Sequence, residues 1–292
     1  MSDVLVQEVS GATDDTLKVI EGLELTGRIN TSEEQIAANI ASAIRRGHPQ
    51  LRPQEVQTDR ICLVGGGPSL AETEGELVEL LRDGAKLVTV NGAYHWALAH
   101  NLHPKTQVVM DARPENARFV EPAVPGCNYL LASQCHPATW DAVEGRERVF
   151  IMHTVRRDES HAALLDAYYL KQWQTVNGGS TVTSRALVAL RLMGYLRFDL
   201  FGVDCCWTGD QHHAYPQPEN EQDRRYRVRV APSDAPDYAR EFYCSAWHLK
   251  QYEDFLKVIK ANGSQFLLHV HGDGLLAYTI RTNAALVDQT EA

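Results

Sequence analysis

The 292-residue sequence lacks a long apolar run, and no stretch approaches the roughly 20 apolar residues of a membrane-spanning helix. Its first residues also lack the basic and apolar regions of a secretory signal, so we expect a cytoplasmic protein with no membrane partner. Cysteine is scarce too. The six cysteines have neither the density of a disulfide scaffold nor the Cys-x-x-Cys spacing of a zinc site, so reduced thiols are expected.

Basic residues are too few to balance the acidic ones, which gives a formal net charge of −10. This balance argues against a protein that coats nucleic acid, because lysine and arginine supply most of the non-specific affinity for phosphate. A nucleic-acid acceptor stays open but is not indicated by the charge. The densest basic cluster contains Arg224, Arg225, Arg227 and Arg229; we interpret it as a solvated loop, the alternative being a patch that meets an anionic substrate.

What the sequence does contain is a run of three glycines, Gly65, Gly66 and Gly67, between an apolar segment and a helix-compatible one that begins with Pro68 and Ser69. Glycine allows positive φ and lets a ligand approach the backbone, while the N–H groups at a helix N-terminus attract an anion. This glycine bend therefore predicts a site for a nucleotide or a nucleotide-activated group. The alternative is a tight strand-to-helix turn with no ligand.

Two familiar phosphate-binding motifs do not fit the bend. A P-loop needs Gly-Lys-Ser/Thr at its end, and this sequence has none there. A dinucleotide fingerprint needs a third glycine where Leu70 stands and an acidic residue after the second strand, where Asn91 stands. An ordinary NAD-dependent enzyme is therefore not expected.

Apolar runs alternate with helical stretches from Arg60 onward, which is typical of a parallel βαβ fold. Strands are predicted at residues 61–64, 87–90, 107–110, 129–131, 149–152, 198–201 and 266–270, and helices at 70–82, 93–100, 180–193 and 238–261. We expect an α/β fold with a mainly parallel, Rossmann-like sheet and helices on both faces. Residues 208–236 are too long and polar for a routine connection and predict a functional loop, a lid or disorder.

Residues 1–59 are predicted to be an N-terminal arm and helix, and residues 60–292 to be the main domain. The first thirty residues are polar and acidic, and we expect no chemistry from them. Thr31 and Glu34 have the spacing of a capping box, and Gly47 is placed to close the helix that follows. This helix should pack on the main domain.

Polar residues follow the predicted strands where ligands of an open parallel sheet bind, beyond the strands' carboxyl ends. Asn91 and Gly92 follow the second strand, Asp111 the third, and Asp204 the strand at 198–201. We expect them to converge on one crevice with the glycine bend. Each aspartate has the chemistry to coordinate a hydrated magnesium ion or to orient a hydroxyl, the alternative being a helix cap.

A second glycine turn, Gly178, Gly179 and Ser180, opens another predicted helix. Two such turns at two helix N-termini suit a diphosphate, because N–H groups then meet its charges; the alternative is an ordinary capped helix.

His212 and His213 lie on the loop after Asp204, where a histidine has the pKa range to take a proton from an acceptor hydroxyl. Neighbouring residues on an extended loop point apart, so we expect at most one to act. A metal site formed with His269 and His271 is a weaker hypothesis, because the spacing matches no known ligand pattern.

Five segments together resemble the MptE-like family, and the resemblance extends over residues 60 to 280. They are Val-Gly-Gly-Gly-Pro-Ser-Leu at 64–70, Val-Asn-Gly-Ala at 90–93, Met-Asp-Ala-Arg-Pro at 110–114, Gly-Gly-Ser at 178–180 and Phe-Gly-Val-Asp at 201–204. This family includes archaeal 6-hydroxymethylpterin diphosphokinases and the core of bacterial motility-associated factors that look like nonulosonic acid transferases. The first sixty residues resemble the extension of phage-type members.

The Gly-Pro-Ser-Leu turn and Asn91 are also similar to those of bacterial sialyltransferases that bind a cytidine-monophosphate sugar. This resemblance implies that Gly66, Gly67, Pro68, Ser69 and Asn91 line the nucleotide phosphate, with Gly179 and Ser180 beside them. Those enzymes have an asparagine where this sequence has Gly66. Their catalytic histidine lies on a later loop, which His212 or His213 matches by position.

The resemblance implies a nucleotide-dependent transferase, and three hypotheses stay open. The first is a glycosyltransferase that uses a nucleotide-activated sugar and a hydroxyl-bearing acceptor; the long insertion with its histidines and with Trp207 and Tyr215 suits a bulky acceptor. The second is a diphosphokinase that uses ATP, with magnesium held by Asp111 and Asp204. The third is a non-catalytic protein that binds a nucleotide or sugar. The sequence leaves a homo-oligomer open.

Overall fold

The protein folds around a seven-stranded parallel sheet with helices packed on its two faces. The computed structural model describes residues 5–8, 31–155, 160–216, 223–232, 235, 238–262 and 267–282. Within these ranges no helix is long and apolar enough to cross a bilayer. The predicted α/β class is confirmed.

Ten strands within the described ranges form two sheets. They are β1 (Leu5–Glu8), β2 (Gln57–Val64), β3 (Lys86–Val90), β4 (Thr106–Val109), β5 (Asn128–Ala132), β6 (Val149–Met152), β7 (Tyr195–Phe201), β8 (Arg225–Val230), β9 (Arg240–Ser245) and β10 (Leu267–Val270). The main sheet has the order β10-β7-β2-β3-β4-β5-β6 with every neighbouring pair parallel. The second sheet has the order β1-β8-β9 and is antiparallel.

Eight α-helices and one 3-10 helix connect the described strands. The α-helices are α1 (Glu33–Arg45), α2 (Leu70–Arg82), α3 (Ala93–Ala99), α4 (Pro137–Asp141), α5 (Ala162–Tyr169), α6 (Val182–Leu192), α7 (Ala246–Asn262) and α8 (Leu275–Thr282), and the 3-10 helix covers Pro114–Val120. Every helix predicted within the first βαβ units lies within a residue of its expected place.

Two apolar clusters cover the two faces of the main sheet, and alternate residues of β2 contribute to each. Ile61 and Leu63 belong to the larger cluster, while Cys62 and Val64 belong to a smaller one with the buried sides of α2 and α3. Successive side chains of a strand point to opposite faces, so this run of four buried residues requires cover on both sides. The burial explains why β2 reads as a continuous apolar segment.

The antiparallel sheet corrects two predictions. Arg225, Arg227 and Arg229 do not form a solvated loop, since they alternate along β8 with the buried Val228 and Val230. The helix predicted at 238–261 begins as the strand β9, and α7 starts only at Ala246. The two-residue alternation of exposed and buried side chains in both strands is the pattern of a half-buried strand, and pairing of β8 with β9 satisfies their backbones.

The helix α1 packs on the main domain as predicted, although its cap is a different residue. Ser32, rather than Thr31, accepts a hydrogen bond from the Gln35 amide at 3.2 Å. The buried Asn39 donates to the carbonyl oxygens of Ala112 and Gln134 at 3.1 and 3.0 Å. These two bonds attach the helix to the loops that follow β4 and β5. Of the first thirty residues, only 5–8 lie within the described ranges, so the predicted arm is largely outside them.

The bend between β2 and α2 offers a test of packing at Gly67. A Cβ atom there would overlap the Asp204 carboxylate and lie 2.8 Å from the Gly202 oxygen, whereas one at Gly75 in α2 would meet no described atom within 4 Å. We expect Gly67→Ala to lower the free energy of unfolding by about 2 kcal/mol or more through overpacking. We expect Gly75→Ala to raise it by about 0.5–1 kcal/mol, because glycine is unfavourable inside a helix. Urea unfolding of both variants measures this, and equal effects would refute the close contact.

Candidate active site

The strand order reverses at β2, which lies between β3 and the much later β7. Loops leaving the carboxyl ends of neighbouring strands diverge at such a switch point and leave a crevice between them. A cavity of about 390 Å³ lies at this place, of a size typical of small-molecule sites. The sequence-based expectation of one crevice at this edge is therefore met.

The structure brings most of the predicted site residues to this cavity. Those that line it are Gly66, Gly67, Asn91, Gly92, Asp111, Ser180, Asp204, His212 and His213. Gly65, Pro68, Ser69, Gly178 and Gly179 do not line it. These five lie behind the lining residues and shape the two turns.

The glycine bend uses most of its amides inside the protein. The Gly65 amide donates to the Phe201 oxygen and the Gly67 amide to the Gly202 oxygen, both at 2.8 Å. The Ser69 amide donates to Asp204 Oδ2 at 3.3 Å. The expectation that this bend presents a row of amides to a phosphate therefore does not hold in this conformation, because neighbouring loops already accept these hydrogen bonds.

A side chain covers the glycine bend. The amide of Ala214 donates to the Gly66 oxygen at 2.9 Å, which seats the loop after β7 on the bend. The Tyr215 hydroxyl then lies 2.6 Å from where a Cβ of Gly66 would be and 2.9 Å from that of Gly92. Both glycines thus give space to this tyrosine, whose pKa burial raises well above its ordinary value.

Asp204 ties the two central loops together. Its Oδ2 accepts hydrogen bonds from the amide and the hydroxyl of Ser69, the residue before α2, at 3.3 and 3.0 Å. The residue is only 4% exposed, and burial raises the pKa of its carboxyl to about 6. These contacts attach the residue before α2, a helix with no side-chain cap hydrogen bond, to the segment after β7.

The second glycine turn also holds a carboxylate of the protein itself. The amide and the hydroxyl of Ser180 both donate to Asp254 Oδ2 at 2.6 Å, and Asp254 of α7 also pairs with Lys250 at 2.8 Å. Burial alone would raise the pKa of Asp254, but these hydrogen bonds hold it below its usual value. The Ser180 amide is therefore already occupied by a carboxylate of the protein. Thr181 caps α6 by accepting a hydrogen bond from the Ser184 amide, which is the ordinary capped helix that the sequence also allowed. The first turn of α6, Thr181 to Thr183, remains beside the cavity.

The segment after β4 forms a cationic wall of the cavity. Arg113 binds Asp111 through Nη2 at 2.8 Å and through Nε at 3.1 Å, and Arg118 and Asn116 of the 3-10 helix line the same wall. Asp111 and Asp204, the predicted magnesium ligands, both bind other groups of the protein in this structure. Asp111 is paired with Arg113, and Asp204 is buried against Ser69.

Histidine and tryptophan rings form another wall of the cavity. His212 and His213 do not point apart, since both line the cavity and their ring centroids are 4.6 Å apart. Trp247, near the start of α7, lies beside two histidine rings, with its centroid 5.8 Å from that of His213 and 3.6 Å from that of His248. The Ser245 amide donates to His248 Nδ1 at 3.2 Å, and burial holds the pKa of His248 far below its usual range. His248 is therefore neutral, with its proton on Nε2.

His269 and His271 take no part in this cavity. His271 lies between two carboxylates, with Nε2 2.9 Å from Asp199 and Nδ1 2.6 Å from Glu76. Asp199 is held by Arg60 as well, and these hydrogen bonds outweigh burial and keep the pKa of its carboxyl below its ordinary value. This network fastens β10 to β7 and α2, which gives both histidines a structural setting.

Sequence reasoning missed several residues that line the cavity. They are Arg113, Asn116, Arg118, Trp247 and His248. Met-Asp-Ala-Arg-Pro gave a signal for Arg113, since the motif places it directly after a strand end. Trp247 and His248 gave none, because α7 reaches the cavity from a distant part of the chain.

The fold and the cavity define the class of this protein: a Rossmann-like α/β protein with a polar cavity at its topological switch point. Residues 34–210, more than half of the chain, match the family described as "6-hydroxymethylpterin diphosphokinase MptE-like". The protein belongs to this MptE-like family, so the resemblance to that family is confirmed over residues 34–210, whereas the sequence had predicted it over residues 60–280.

A solved structure shares this fold. The MAf glycosyltransferase from Magnetospirillum magneticum AMB-1 is similar with a TM-score of 0.61 and 17% sequence identity, over 88% of this chain and 40% of that chain. This chain thus spans less than half the length of that protein. A comparison with curated proteins finds no match.

The buried Asp204 predicts a particular dependence of stability on pH. Its folded-state pKa of about 6 lies above the usual 3.8, so the folded protein binds the proton more tightly and the ionised carboxyl destabilises the fold as pH rises from 4 to 7. Asp204→Asn removes this pH-dependent contribution to the free energy of unfolding. The free energy of unfolding of Asp204→Asn relative to the parent should rise over that interval by up to about 3 kcal/mol, at 1.36 kcal/mol per pKa unit.

Urea unfolding at a series of pH values measures the difference, and Asp273→Asn is the control. Arg240 holds the pKa of the exposed Asp273 below its usual value, so most of its effect on stability falls below about pH 4, and the difference between that variant and the parent should change little between pH 4 and 7. A flat difference for Asp204→Asn would contradict the raised pKa.

Proposed function

We propose that the protein is a nucleotide-dependent transferase, most specifically a glycosyltransferase that moves a sugar from a nucleotide-activated donor to a hydroxyl of an acceptor. The observation that carries this proposal is one cavity whose lining includes two arginines, Arg113 and Arg118, and the histidines His212 and His213. Membership of the MptE-like family and the fold shared with a glycosyltransferase support a transferase. The relation to sialyltransferases and the phage-type origin stay predictions.

The two walls supply the two halves of a group transfer. The acceptor oxygen forms a bond to the anomeric carbon, and its proton passes to an imidazole nitrogen of His213, the general base in this proposal. The bond from that carbon to the donor phosphate breaks, and its electron pair leaves with the phosphate oxygen. Arg113, Arg118 and the N-terminus of α6 offset the charge that develops there.

A diphosphokinase is the alternative within the same class, and the family description favours it. Transfer of a diphosphate from ATP normally depends on magnesium, and the pairing of Asp111 with Arg113 and of Asp204 with Ser69 supports the glycosyltransferase instead. A non-catalytic protein that binds a nucleotide or sugar is the third hypothesis. It predicts ligand binding without turnover.

A screen of thermal stability separates these hypotheses. We expect a cytidine or uridine nucleotide to raise the melting temperature without magnesium, because only ligands that the folded state binds stabilise it. Differential scanning fluorimetry with CMP, UDP and ATP, each with and without magnesium, gives the measurement. Stabilisation by ATP alone, and only with magnesium, would contradict the glycosyltransferase and favour the diphosphokinase.

The general base is tested at His213. Replacement by glutamine should lower the turnover of a nucleotide sugar by about 10²–10⁴, the usual contribution of general base catalysis, while nucleotide-induced stabilisation persists. The exposed His103, which does not line the cavity, gives the control variant His103→Gln with full turnover. Release of the nucleotide product is the readout. Unchanged turnover of His213→Gln would exclude this residue as the base.

A further inference from the structure

Two residues that line the cavity each have one buried carboxamide atom without a hydrogen-bond partner among the described residues. Asn116 is only 2% exposed, and its Nδ2 has no partner there. Asn91 is half-buried as a residue, but its Oδ1 is buried and has no partner there either. Both residues line the cavity. A buried polar atom without a partner is uncommon, because its desolvation is not compensated.

The backbones of both asparagines are fixed by the fold. The Asn91 amide donates to the Val108 oxygen at 3.1 Å, its own oxygen accepts from Gln107 Nε2 at 3.0 Å, and its φ is +41°. The Asn116 amide donates to the Arg113 oxygen at 3.3 Å. The backbone of each asparagine is thus fixed beside the cavity before any ligand arrives, as it is for preorganised polar groups of a binding site.

The two orphaned atoms are of opposite kind, which restricts the ligand group that they bind. Asn116 Nδ2 needs an acceptor and Asn91 Oδ1 needs a donor. A phosphate at neutral pH supplies acceptors only, so it leaves Asn91 Oδ1 unsatisfied. A hydroxyl both donates and accepts. The two atoms therefore match the hydroxylated part of a ligand rather than its phosphate. A phosphate is better suited to Arg113, Arg118 and the N-terminus of α6.

We infer that Asn91 and Asn116 bind hydroxyl groups of the ligand and determine its specificity. This rests on the proposed function in that the hydroxyls belong to the ribose of a nucleotide donor or to the sugar attached to it. It departs from the role that the resemblance implied for Asn91, a contact with the nucleotide phosphate. Asn116 had no assigned role.

Binding measurements on matched ligands test the inference. Isothermal titration calorimetry compares CMP with 2′,3′-dideoxy-CMP and UDP with UDP-glucose, which separates the ribose from the attached sugar. The parent protein should prefer the hydroxyl-bearing ligand of one pair by about tenfold or more, and this preference should fall below about threefold in Asn116→Ala and Asn116→Asp. The control is Asn101→Asp, an exposed asparagine at the end of α3 with a positive φ of +58°, which should keep the preference.

The outcomes separate this inference from the proposed function. The hydroxyl role is overturned if every variant with the parent melting temperature binds the nucleotides with the same preference for the hydroxyl-bearing ligand. The proposed transferase function is not affected by that result. The hydroxyl role is also overturned if the preference depends on the base rather than on hydroxyl groups, which a comparison of CMP with UMP tests. Binding of free ribose or glucose that is lost in Asn116→Ala, without binding of any nucleotide, supports the hydroxyl role and contradicts the nucleotide donor. Binding of none of these ligands overturns both.

Discussion

The hydrogen bonds between Asp204 and Ser69 are the contact on which the rest of the site depends. Asp204 follows β7 and Ser69 precedes α2, so their bonds close the switch point of the sheet. The oxygen of Asp204 also accepts from the Leu276 amide at 3.3 Å, which brings α8 to the same place. Gly67 and Gly274 leave room for Asp204, because a Cβ on either would collide with it. Burial of an ionised carboxyl at this junction is energetically unfavourable, and the raised pKa of Asp204 reflects this.

The charges around the cavity follow from the same arrangement. Both turns that the sequence marked as anion sites bind a carboxylate of the chain, Asp204 in one and Asp254 in the other. In the proposed transferase, the negative charge of the donor is then met by Arg113 and Arg118, which line the cavity. This placement explains how an acidic protein can present a local cationic surface, since net charge says little about one side of a cavity.

The fold was largely predictable from the sequence, and the predictions that failed have a common cause. The strands β2 to β7 gave clear signals, because parallel strands buried on both faces read as apolar runs bounded by glycine or by polar residues. The strands β8 and β9 did not. Their arginines and tyrosines suggested a solvated loop and a helix, and only their pairing with each other and with β1 makes them a sheet. Pairing between distant segments leaves a weak local signal.

The sequence by itself determined the parallel α/β core, the edge of the sheet where a cavity forms and the presence of two anion-binding turns, because apolar periodicity, glycine and helix N-termini act locally. Only the tertiary structure decided which anions occupy those turns, that Tyr215 covers the glycine bend and that Trp247 and His248 complete the site. These outcomes depend on contacts between residues far apart in the chain. Such contacts are set by the packing of whole elements, which no local pattern encodes.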